Sequence, residues 1–148
     1  MKKILSLMCF ALISLTLLTG CGKESPSDVA NKAFDAFMSG NIDEFMTYCK
    51  KIEDPKELKK GKDGLTFVYA LIQTKVKKGE AFSMKVLDEK IDGDKAQVLV
   101  EFTNSEGTSS EIYSFIKENG KWVIADLKSK KVGNSKTMAE ALAYKETK

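Results

Sequence analysis

Cysteines, tyrosines and carboxylates are the residues of this chain whose chemistry is worth weighing. All 24 basic residues are lysine, and there is no histidine. Without imidazole there is no Ser-His-Asp or Cys-His machinery and no imidazole metal site. Without arginine there is no bidentate clamp for carboxylate, phosphate or guanine. Nucleic acid is therefore not an expected partner. Cys49, in FMTYC, falls at a helix position and reads as a small buried apolar residue. No base is at hand to make it a nucleophile. Asp88, Glu89, Asp92 and Asp94 cluster, but Lys90 and Lys95 lie among them and EF-hand spacing is missing. That pattern fits a solvated hairpin tip, so no metal and no cofactor is expected. Tyr48, Tyr69, Tyr113 and Asp126 are the parts a carboxylate-and-tyrosine enzyme would use. For Asp126, a structural hydrogen bond or solvent exposure is the plainer reading.

Cys21 is a different case. Met1-Lys2-Lys3 is a positive start, residues 4–18 are an apolar run, and Thr19-Gly20-Cys21 follows. A run of this length is short for a spanning helix, which needs about 20 residues, and it fits a signal segment. Leu18-Thr19-Gly20-Cys21 resembles the box of a bacterial lipoprotein signal. The resemblance implies cleavage before Cys21, diacylglycerol on its sulfur and acylation of the new amino terminus. More than one acyl chain gives lasting attachment. The expected organisation is a signal peptide over 1–20, a lipidated tether over 21–27, a folded domain over 28–128, and a C-terminal loop with a short helix or tail over 129–148. The membrane, reached through lipid on Cys21, is then the first partner. Lys23 rather than Asp follows two positions later, which resembles outer-membrane sorting if the source is Gram-negative. Otherwise the outer leaflet of the cell membrane is implied. With Cys9 removed and Cys21 acylated, Cys49 stands alone and no intramolecular disulfide is possible. Loss of Lys2 and Lys3 leaves 22 lysines against 21 acidic residues, near neutrality. Such a domain has no overall field for steering anionic partners.

The elements that must hold these residues divide the chain in two. Ser25 and Pro26 open a helix over about 26–39, with Val29, Ala30, Ala33, Phe34 and Phe37 on one face. Gly40 ends it, and Asn41 caps a second helix carrying Phe45 and Cys49. Asp54-Pro55 reads as the start of a short turn closed by Gly61, before a third helix over about 64–77. From residue 80 the period changes to 2, giving four strands separated by Asp92-Gly93-Asp94, Glu106-Gly107 and Asn119-Gly120. These short connections make consecutive strands antiparallel. A bulge is expected near Val86, and the first hairpin's register is open by two residues. In the last hairpin Asn119-Gly120 pairs Glu118 with Lys121, Phe115 with Ile124 and Tyr113 with Asp126. Both faces carry apolar residues, so both are expected to be at least partly covered.

The fold class read from this order is α+β: N-terminal helices packed on a curved four-stranded antiparallel sheet. Ala33, Phe34, Ala36, Gly40 and Asp43, followed late by Gly120, Trp122 and Ile124, resemble the nuclear-transport-factor-2-like, cystatin-like superfamily. They look like its bacterial lipoprotein branch of unknown function. That resemblance implies a cone with an apolar pocket and, often, a homodimer through the open sheet face. The candidate pocket residues are Phe34, Phe37, Tyr113, Phe115, Trp122 and Asp126. The function expected is a non-catalytic envelope lipoprotein that binds a small apolar ligand or an envelope protein partner. The alternatives are a small isomerase- or dehydratase-like enzyme, for which the dehydratase histidines are missing, and an assembly or immunity-type interaction subunit.

Overall fold

A computed structural model describes residues 23–145. Cys21 and the leader, residues 1–20, lie outside the described residues. Helix α1 (Pro26–Met38) begins where expected: the Ser25 side chain accepts from the Asp28 N–H at 3.1 Å, and Asp28 accepts from the Ser25 N–H at 2.9 Å. This capping box satisfies free donors of the first turn. Its inner face buries Val29, Ala30, Ala33, Ala36 and Phe37. Gly40, at φ +78°, turns the chain into Asn41, which caps the short α2 (Ile42–Thr47) by accepting from the Glu44 N–H at 3.1 Å.

The third helix differs from the expectation. Asp54 and Pro55 do not open a separate turn; they start α3 (Pro55–Lys77), a single helix of 23 residues. The Asp54 side chain accepts from the N–H of Lys56 and of Glu57. Gly61 and Gly64 sit within the helix, each costing about 1 kcal/mol relative to alanine. That cost does not break it, because Leu58, Leu65, Tyr69 and Ile72 form a half-buried stripe running past both glycines.

The sheet comprises β1 (Phe82–Asp92), β2 (Lys95–Asn104), β3 (Gly107–Glu118), β4 (Lys121–Ile124) and β5 (Lys130–Lys131), with β1 to β4 adjacent in chain order and antiparallel. Asp92 pairs with Lys95, so Gly93-Asp94 is the first loop. Val86 pairs with Val100 and Asp88 with Leu99, which leaves Leu87 as a bulge. The bulge reverses parity along β1: Met84 and Val86 pack under α1, whereas Leu87 packs on the opposite face. The final hairpin has the expected register at Phe115–Ile124 and Glu118–Lys121.

After β4 the chain leaves the sheet and returns as β5 on the same edge of β3, pairing Glu111 with Lys131 and Ile112 with Lys130. Helix α4 (Met138–Ala143) follows. The main core lies between α1, α2 and the sheet, around Val98, Val100, Phe115, Trp122 and Ile124. A second, smaller core fills the other face with Leu99, Ile112, Val132, Met138 and Ala141. Asp88 holds α4 there by accepting from the Met138 N–H at 2.8 Å. Both faces of the sheet are thus covered, and β5 and α4 pack on the same sheet as the strands before them.

Candidate functional site

The main core does not close completely. A half-open cavity of about 390 Å³ lies between the helices and the sheet. Its size falls in the range of small-molecule sites. Ala30 and Ala33 of α1 supply small side chains along one wall, and Phe34 and Phe37 stand beside them. Across from them are Phe82, Met84, Val100, Phe102 and Phe115 of the sheet. Phe34 and Phe82 rings stack with centroids 6.0 Å apart, and Phe82 stacks on Phe102 at 6.1 Å. Such ring pairs contribute about 0.5–1.5 kcal/mol beyond their buried area, so this wall is stiff.

Helix α3 forms another part of the wall through Leu65, Val68 and Ile72. None of its 23 residues is buried. Polar links tie it down: Lys62 to Asp43 at 2.7 Å, Lys75 to Glu106 at 2.9 Å, and the Gln73 amide to the Met38 carbonyl at 3.5 Å. Exposed ion pairs of this kind contribute only up to about 1 kcal/mol each. The α3 wall is therefore held less firmly than the α1 wall.

Polarity in the cavity is concentrated at one place. Glu111 and Tyr113 of β3 share the face of Phe115, and all three line the cavity. The Tyr113 hydroxyl donates to Glu111 Oε2 at 3.2 Å, and the Ser129 hydroxyl donates to the same oxygen at 2.5 Å. Burial, and then the neighbouring Glu111 charge, push the Tyr113 phenol up to about 12. Tyr113 is accordingly a neutral donor across the physiological range. Phe102 meets the Tyr113 ring edge-on at 6.4 Å.

Of the residues expected at the pocket, Phe34, Phe37, Tyr113 and Phe115 stand on the cavity wall. Trp122 does not. It is buried in the same core, with the Lys117 ammonium 4.9 Å from its ring centroid. Asp126 is also away from the wall: it is exposed and accepts from the Lys128 N–H at 2.9 Å. The ladder that would set it opposite Tyr113 stops at Ile124, although the Ala125 N–H still reaches the Ser114 carbonyl at 2.8 Å. The carboxylate beside Tyr113 is Glu111 instead. Its signal in the sequence is parity, since it alternates in phase with Tyr113 and Phe115. Cys49 is buried, and burial pushes its thiol up to about 12. Among the described residues no group of His, Cys, Asp and Glu side chains could hold a metal ion, and no helix is long and apolar enough to cross a membrane.

Residues 19–125 match the family described as Domain of unknown function (DUF4878). The chain belongs to the DUF4878 family. In this DUF4878 chain, the matched segment runs through α1 and the strands to the end of β4. No curated protein matches the sequence. A solved structure from Campylobacter jejuni, described as a candidate NTF2-like transpeptidase, is similar at TM-score 0.58 and 20% identity. The likeness covers 70% of the DUF4878 chain and 99% of the other. It shows an NTF2-like fold for the present chain.

Proposed function

We propose that this protein is a lipid-anchored envelope protein whose NTF2-like domain binds a small apolar ligand without transforming it. The half-open cavity, apolar on most of its wall and polar only at Glu111 and Tyr113, carries the reading. A site built mainly of apolar side chains with a few convergent polar groups is what small-molecule binding requires. Tyr113 keeps its proton until far above neutral pH, so in the cavity it serves as a hydrogen-bond donor. The anchor rests on Leu18-Thr19-Gly20-Cys21, and GKESPS then serves as the tether.

Two experiments test this. Fatty-acid labelling of the full chain in cells should mark the wild type and leave Cys21→Ala unlabelled; a labelled Cys21→Ala protein overturns the anchor. Native mass spectrometry of the chain released gently from membranes should show a co-purifying small molecule. A chain with nothing bound counts against the ligand.

A second reading has its own observation. On α3, Phe67 is 65% exposed and Leu71 52%, one helical turn apart. An envelope protein partner covering them would make the domain an interaction subunit, and native spectra would then show a complex.

A further inference from the structure

We infer that the cavity selects an apolar ligand bearing a protonated amine, which the free oxygen of Glu111 receives. This rests on the ligand-binding reading above and deepens it. The two carboxylate oxygens of Glu111 are not equivalent. Oε2 accepts from both Tyr113 and Ser129. Among the described residues, no donor reaches Oε1, and no lysine forms an ion pair with Glu111. Lys131 pairs with Glu111 across the ladder, but its ammonium does not come within ion-pair distance.

A half-buried carboxylate on an apolar wall, without a cation, is a costly arrangement. The two hydroxyls fix its orientation and leave its charge uncompensated. A ligand ammonium would supply that charge and a donor together, while its apolar body lay against Phe34, Phe82 and Phe102. A hydrogen bond to a carboxylate is already about twice as strong as a neutral one, and an ammonium adds to it the attraction of opposite charges. A ligand alcohol could also donate to Oε1, but it would leave the charge uncompensated. A ligand carboxylate would place a second negative charge beside the first.

The test compares three probes of equal length: 4-phenylbutylamine, 4-phenylbutanol and 4-phenylbutanoate. They are titrated at pH 7 against the full chain in phosphatidylcholine nanodiscs, with empty nanodiscs as the blank. The amine should bind about tenfold more tightly than the alcohol, as expected where an opposite charge meets a half-buried carboxylate, and the carboxylate most weakly. In Glu111→Gln the amine should bind no more tightly than the alcohol. Equal binding of amine and alcohol to the wild type overturns the inference and leaves the apolar-ligand reading standing. Absence of binding by all three overturns both.

Discussion

The Tyr69 hydroxyl lies over Gly40, 2.8 Å from the point a Cβ at that position would occupy. This contact joins the bend between α1 and α2 to the middle of α3, and it leaves room only for glycine. The backbone makes the same demand, since Gly40 has φ +78°, where side chains are strained. Gly40→Ala should destabilise the domain by about 1–3 kcal/mol. Gly64 is the internal control. It lies inside α3, and a methyl group added there would meet nothing within 4 Å, so Gly64→Ala should stabilise by about 0.5–1 kcal/mol. Urea midpoints at constant slope would read both signs.

The aromatic wall gives a second pair of expectations. Phe115 is only 1% exposed and lines the cavity as well as the core. Phe115→Ala should cost about 3–5 kcal/mol. Phe34 is half-buried, with its ring against Phe82 and Phe102. Phe34→Ala should cost less in stability than Phe115→Ala while weakening apolar probes more than its effect on the urea midpoint would suggest. Binding and unfolding measured on the same two variants separate wall from core.

Whether a feature is legible in the sequence depends on whether a local rule or a distant partner decides it. The last hairpin is readable because a two-residue loop of its type needs two positive φ angles, and Asn-Gly supplies them, at 51° for Asn119 and 77° for Gly120. The first hairpin stays open because Gly93 could serve in either loop; only the Asp92–Lys95 pair closes the question. Helix α3 reads as shorter than it is because Gly61 is a local stop signal, whereas packing of Leu65, Tyr69 and Ile72 outweighs it. Strand β5 is two lysines with no pattern at all, defined only by the free edge of β3 beyond β4. Asp126 falls opposite Tyr113 only if a correct register is extended past the point where the ladder ends. Glu111 has the right parity, but nothing in its neighbours in sequence reveals that Ser129 returns to orient it.

Cys49 supplies a third prediction. Its thiol is buried between α2 and β4, donates toward the Phe45 carbonyl at 3.6 Å, and is pushed up to about 12 by burial. A thiol needs to ionise and to be reached before it reacts. At pH 8 a disulfide reagent should therefore modify Cys49 only on unfolding. The part of the signal lost in Cys49→Ala should be absent from the native chain and appear in full in guanidinium. Rapid native modification of that thiol would contradict its place in the core.

The pH dependence of the site follows from Tyr113. Its folded pKa is raised to about 12 from an ordinary 10.0, chiefly by burial and then by Glu111. A raised pKa means the folded state holds the proton more tightly than the unfolded chain does. The associated stability is therefore fully present below about pH 10 and is lost as pH rises toward about 12. Tyr113→Phe removes the ionisable group and should remove this loss: the difference in unfolding midpoint between wild type and variant should shift in the variant's favour across that window. The same variant should lack the last phenol to ionise in a titration followed by tyrosinate absorbance. An unchanged late step in Tyr113→Phe would assign the buried phenol to another tyrosine and take the neutral donor away from Glu111.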